Sequence, residues 1–222
     1  MKARPGLARD LIARQRELAR LVEPQDRLDW PPRLVAGVDC AFPVGGKRTR
    51  AAAVLFRFPE LECVAEAVSE LDTTLPYIPG LLSFRELPAI VQALEQLPQA
   101  PDVVLCDGQG MAHPRRFGVA CHLGVETGLP AVGVGKSRLC GQHHTPGLEK
   151  GSREPLIDNG EEIGRVVRTR ANVRPVYVSV GHRVSLTTAV DLVLSCTTRF
   201  RLPEPIRAAD RLADQSSARC SR

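Results

Sequence analysis

The chain has 222 residues, 43% of them hydrophobic and 25% charged, an ordinary make-up for a soluble globular protein and a length that suits one domain over residues 1–222. Its formal net charge of +5 suits an anionic partner. The seven cysteines (Cys40, Cys63, Cys106, Cys121, Cys140, Cys196 and Cys220) are odd in number, scattered and free of any Cys-x-x-Cys pair, which argues against a disulfide framework or a structural zinc site and for a reducing, cytoplasmic setting. No segment approaches transmembrane length, and the charged N-terminus lacks a signal-peptide core, so no membrane association is expected.

Leu7, Leu11, Ile12, Leu18, Leu21 and Val22 recur at helical spacing with arginines between them, which predicts an amphipathic helix over 7–22. Pro24 and Pro31-Pro32 make a loop. Leu34-Val35-Ala36-Gly37-Val38 reads as a strand ending at Asp39, Gly45-Gly46 as a hairpin turn, 51–58 as the return strand and 62–71 as a third strand. These three read as an antiparallel meander. Pro76-Tyr77-Ile78-Pro79-Gly80 breaks the pattern, and a helix follows over 83–97, with Pro88 tolerable only near its first turns.

Val103-Val104-Leu105-Cys106 reads as a buried strand. After it come a glycine loop, a helix over 119–126 and a short buried strand over 131–134 that ends near Lys136. Residues 141–160 are polar and rich in glycine and proline, and read as an exposed loop or hairpin. Strands over 163–169 and 176–180 and helices over 186–196 and 205–213 complete the chain. A meander followed by alternating helix and strand predicts an α/β fold with a mixed sheet covered by helices and with its sites at strand ends.

The densest chemistry lies in Asp107-Gly108-Gln109-Gly110-Met111-Ala112-His113-Pro114-Arg115. A carboxylate stands where a strand stops, glycines let backbone approach a ligand, and an imidazole and guanidinium follow. Asp39 also terminates an apolar run. Either aspartate alone reads as a turn former. Together, on neighbouring strands, they read as a site for Mg2+ or Mn2+, because hard cations take carboxylate oxygen and phosphodiester cleavage needs activated water and charge neutralisation. Glu86, in the first turn of its helix, either complements the helix dipole or supplies a third carboxylate. His113 reads as a water-orienting or proton-transferring group set against a plain surface histidine, whereas His122 reads as packing. Lys136 follows Gly133-Val134-Gly135, but Pro130 stands where a phosphate-binding P-loop needs glycine, so a nucleotide-binding ATPase is disfavoured. With only four lysines in the chain, Lys136 reads as a phosphate contact rather than a solvated charge. Pro76 to Pro79 form a rigid tip able to part bases, or ordinary loop packing. Arg165, Arg168, Arg170 and Arg174 read as a solvated face, with tracking of a phosphate backbone as the alternative.

Taken together, Val35-Ala36-Gly37-Val38-Asp39, Pro76-Tyr77-Ile78-Pro79-Gly80, Phe84-Arg85-Glu86, the run from Asp107 to Arg115, Val132-Gly133-Val134 with Lys136-Ser137, and Arg201-Leu202-Pro203-Glu204-Pro205 resemble the endonuclease V family, in family order and over nearly the whole chain. The resemblance implies an RNase H-like fold. It implies Mg2+-dependent hydrolysis of the second phosphodiester bond 3′ to deoxyinosine in DNA, leaving 3′-hydroxyl and 5′-phosphate ends. Asp39, Glu86 and Asp107 match the family's acidic triad, with His113 and Lys136 as supporting catalytic positions. Pro76, Tyr77, Ile78 and Pro79 match its strand-separating wedge. Gly80, Leu82, Gly108, Gly110, Val119 and Leu139 match the pocket for the extruded base. A monomeric DNA-repair nuclease is the expectation. Cleavage of inosine in RNA and a noncatalytic nucleic-acid-binding module are the alternatives.

Overall fold

The computed structural model describes residues 6–215; Lys2 and Cys220 lie outside that span. Helix α1 (Leu7–Ala19) opens it. Strands β1 (Leu34–Ala41), β2 (Arg48–Arg57) and β3 (Glu62–Asp72) form the meander, with a four-residue helical turn, α2 (Pro43–Gly46), between the first two. Helix α3 (Ser83–Glu95), strand β4 (Val103–Asp107), helix α4 (Val119–Thr127) and strand β5 (Ala131–Gly135) alternate. Strands β6 (Arg153–Asp158), β7 (Glu161–Val167) and β8 (Val176–His182) follow, then helices α5 (Leu186–Ser195) and α6 (Glu204–Asp214). The strands make one eight-stranded sheet of order β3-β2-β1-β4-β5-β8-β7-β6. β1, β4 and β5 are mutually parallel at its centre, and every other pairing is antiparallel. This is the mixed sheet of an RNase H-like fold. Among the described residues no helix is long and apolar enough to cross a membrane.

The period of two along each central strand sorts side chains between two layers. Ala36, Val38, Val104 and Cys106 share a core with Leu87, Ile90 and Leu94 of α3 and with Ala120 and Leu123 of α4. Val35, Val103, Leu105, Val132 and Val134 face the other way, against Val190 and Val193 of α5 and Ile206 of α6. By the same alternation Asp39, Asp107 and Lys136 fall on the α6 side.

Gly37 shares that side and is where α6 crosses β1. A Cβ at Gly37 would lie 2.1 Å from both the carbonyl carbon and the oxygen of Pro205. Backbone cannot yield there as a flexible side chain would, so Gly37→Ala is expected to lower stability by about 3 kcal/mol through overpacking. Urea unfolding of the purified variant measures this, and an unchanged midpoint would show that α6 can shift freely.

Two expectations need correction, and one is made definite. β1 does not end at Asp39 but runs on to Ala41, because its antiparallel pairing with β2 continues to Arg50 after the parallel pairing with β4 has stopped at Cys106. Of the loop or hairpin expected over 141–160, the structure shows a hairpin at the C-terminal end. Residues 153–158 form an edge strand joined to β7 by a two-residue turn, with Asn159 at φ 52° and Gly160 at φ 81°, the twist a type I′ hairpin requires. Arg168 is neither a solvated charge nor a phosphate contact. It is buried and donates to the carbonyls of Gly147 (2.9 Å), Val173 (2.5 Å) and Pro146 (2.8 Å), fastening the 146–147 segment to the sheet.

Candidate active site

The register of the three parallel strands brings the predicted acids together. Val38 pairs with Cys106, so Asp39 and Asp107 are the next residues along adjacent strands, and Asp107 in turn pairs with Val134, two residues before Lys136. Side-chain oxygens of Asp39, Asp107 and Asp210 all lie within 4.8 Å of one another. Lys136 Nζ is 2.5 Å from Asp107 Oδ2 and 2.8 Å from Asp210 Oδ1. Asp39 Oδ1 accepts the Cys40 backbone N–H at 2.8 Å, which fixes its carboxylate at the sheet edge.

Glu86 reaches the group from the opposite layer. It sits in the first turn of α3, where its own carbonyl is 4.0 Å from Cys40 Sγ, and it lies outside the 4.8 Å trio. Asp210 was not anticipated from the sequence. A signal for it exists: α6 buries Ile206, Ala209 and Ala213, and Asp210 is one turn from Ile206 and Ala213, an acid on the inward stripe of an amphipathic helix.

Crowding perturbs these groups strongly. Burial, reinforced by the charge of Asp107, raises Asp39 to about 7. Burial and the charges of Asp39 and Asp107 raise Glu86 to about 8. Burial also raises Asp107, against the pull of the Lys136 ammonium. For Lys136, burial works to lower the pKa, but hydrogen bonds to Asp107 and Asp210 outweigh it and hold the amine protonated. Converging carboxylates that resist ionising together are a donor set suited to a hard divalent cation. The trio therefore fits such an ion, with the lysine as the resident positive charge.

Beside the acids is a pocket of about 210 Å³. Glu86 and Asp107 belong to its wall, so cluster and pocket share residues. Gly80, Leu82, Gly108, Val119 and Leu139 line it, and Tyr77, 63% exposed, stands at its rim. Pro79 is exposed beside it, while Pro76 and Ile78 are half-buried. Gly110 is not in the lining. It is buried behind the wall, its N–H donating to Ser179 Oγ at 2.9 Å, and a Cβ there would lie 2.0 Å from the Val180 carbonyl oxygen. The glycine serves close packing onto β8. Ser83, Gln109, Phe117 and Gly118 complete the lining and were missed, since an isolated serine, glutamine or phenylalanine carries no spacing signal.

His113 stands in the pocket wall, apart from the carboxylate trio. Its Nδ1 accepts the Arg115 backbone N–H at 3.1 Å, so the proton of the neutral ring sits on Nε2. Burial, then the charge of Arg115, lowers its pKa to about 4, which makes it an uncharged imidazole at neutral pH. His122 is a packing residue as expected, buried between Phe84 and Phe117 with Nδ1 3.0 Å from Ser83 Oγ.

Carboxylates and a lysine at the C-terminal ends of parallel central strands, in a mixed sheet with helices on both faces, define a nuclease of the RNase H-like class. A profile of the family described as Endonuclease V matches residues 16–211. The endonuclease V of Alkalilimnicola ehrlichii is 57% identical over 187 residues, covering 84% of this chain and 82% of the relative. A crystal structure of the endonuclease V of Streptomyces avermitilis superposes with a TM-score of 0.89 at 44% identity, covering 94% of this chain and 92% of the other. That of Ciona intestinalis, in complex with a 24mer DNA containing an inosine followed by a ribo-adenosine, has a TM-score of 0.80 at 27% identity, covering 93% and 95%. The chain belongs to the endonuclease V family.

Proposed function

We propose that this chain is a DNA-repair endonuclease that uses Mg2+, with Mn2+ as a substitute, to hydrolyse the second phosphodiester bond 3′ to deoxyinosine, leaving 3′-hydroxyl and 5′-phosphate ends. The observation that carries the reading is that Asp107 and Glu86 belong both to the acidic cluster and to the wall of a base-sized pocket. A nuclease directed by a damaged base needs that adjacency. The inosine-containing DNA held by the Ciona relative is the matching ligand.

In this reading Asp39, Asp107 and Asp210 would hold the cation, and Glu86, set back from the trio, would assist them. When bound, the ion activates water and neutralises charge developing on the phosphate. Lys136, held between two carboxylates that the ion would claim, turns its ammonium to the scissile phosphate as a point charge. His113, neutral with Nε2 protonated, orients water as a hydrogen-bond donor. The Pro76–Pro79 tip, led by Tyr77, parts the strands, and the base leaves the stack for the pocket formed by Gly80, Leu82, Gly108, Val119 and Leu139. One domain working as a monomer in the cytoplasm suffices for this chemistry.

The test is a 5′-labelled duplex with one deoxyinosine, incubated with Mg2+ and run beside a sequence ladder. The expected product ends one nucleotide 3′ of the inosine and is extended by a polymerase, as a 3′-hydroxyl requires. A cut elsewhere, or none with Mg2+ or Mn2+, defeats the proposal. One observation favours a second reading, inosine in RNA: the strand bound by the Ciona relative carries a ribonucleotide directly after the inosine. Competing DNA and RNA strands for one pool of enzyme separates the two.

A further inference from the structure

Gln15 lies in the middle of α1 with no exposed surface, although glutamine ordinarily keeps to solvent. Leu18, one turn along α1, packs with Phe117 and Cys121 in an apolar cluster. The Gln15 amide spends its hydrogen bonds on the pocket. Nε2 donates to the Phe117 carbonyl at 2.8 Å and to the Gly80 carbonyl at 3.1 Å. Oε1 accepts from Arg115 Nε. Arg115 closes the loop, with Nη2 donating to the same Gly80 carbonyl at 2.7 Å and its backbone N–H donating to His113 Nδ1.

Gly80, His113 and Phe117 line the pocket, whereas Gln15 and Arg115 do not. They join the tip that ends at Gly80 to the 113–118 loop, two segments that are separate in sequence. The junction is tight. Gly80 has a φ of +76°, and a Cβ there would lie 2.5 Å from Arg115 Nη2. A buried polar network with its partners in place specifies one arrangement of the groups it joins.

We infer that Gln15 is a positioning residue for base selection, setting the distance between the two sides of the pocket without touching the base. The inference rests on the reading of that pocket as the seat of an extruded hypoxanthine. Hypoxanthine offers an N1–H donor and an O6 acceptor, where adenine offers an N1 acceptor and an amino donor. Telling them apart requires wall groups fixed to within hydrogen-bond tolerance, since a wrong base is rejected by leaving polar groups unpaired.

Two variants of the full chain test it. Gln15→Met keeps the length and removes all three hydrogen bonds. Gln15→Glu keeps the acceptor for Arg115 and removes both donors, and it decides the matter alone if the methionine variant fails to fold by circular dichroism. The half-saturating enzyme concentration and the maximal single-turnover rate are measured on a single strand with one deoxyinosine, and affinity is measured for the same strand with adenine as competitor. Loss of both donors is expected to raise the half-saturating concentration for the inosine strand roughly tenfold while leaving adenine affinity unchanged and the maximal rate less affected. Equal weakening on both strands, or full inosine preference in either variant, overturns the inference. A parent chain that shows no preference for inosine overturns the underlying reading instead.

Discussion

Asp107→Ala is expected to cleave a deoxyinosine duplex at least roughly a thousandfold more slowly than the parent chain, the largest loss of any single substitution in the cluster. Asp107 is the residue on which the site converges. Its carboxylate belongs to the trio with Asp39 and Asp210, bonds Lys136 at 2.5 Å, and forms part of the pocket wall. Removing it takes away a proposed cation ligand and frees the lysine from one of its two carboxylates. Glu86→Gln, outside the trio, is expected to lose less. Single-turnover rates at saturating enzyme and Mg2+ give the comparison, with circular dichroism as the check on folding. A fully active Asp107→Ala protein would exclude the assigned ligands.

Much of this site was legible because the period of two in a strand is a strong constraint. Once Val35 and Leu105 are core residues, Asp39 and Asp107 must emerge on the same face, and parallel neighbours put them side by side. The contribution of α6 was harder to read. Where a helix crosses a sheet depends on a long-range contact, here Pro205 over Gly37, that no local pattern encodes. Asp210 thus arrives from the far end of the described chain. Gln15 is a similar case, since its partners are 65 and 102 residues away. Asn159-Gly160 is a strong short hairpin signal, and it supports the hairpin alternative expected within 141–160. Arg168 was not legible, because charge alone does not distinguish a solvated guanidinium from one that caps buried carbonyls. Gly110 shows a related ambiguity. A glycine beside a pocket and a glycine packed behind its wall look identical in sequence, and only the approach of Val180 separates them.

Without divalent metal, the parent chain is expected to lose stability as pH rises from about 4 to 8, and Asp39→Asn is expected to be the more stable protein at pH 8 by a few kcal/mol, on the order of 1.4 kcal/mol for each pH unit of the perturbation. Asp39 binds its proton up to about 7 in the folded chain against an ordinary 3.8, and Glu86 up to about 8 against 4.5. Between those values the folded state holds more protons than the unfolded one. Stability is therefore present below the ordinary carboxylate range and falls as pH climbs through the folded values. The cause is burial of acids that repel one another, so replacing one charge by an amide of the same shape removes both the desolvation and the repulsion. A bound divalent ion would compensate the same charges. The rise in melting temperature on adding Mg2+ should accordingly be larger at pH 8 than at pH 5, and should shrink in Asp39→Asn. Melting curves in EDTA and in Mg2+ at both pH values measure each part. An Asp39→Asn protein no more stable than the parent at pH 8 in EDTA would mean that the acids are not crowded enough to need an ion, and the assignment of the trio as a cation site would fail with it.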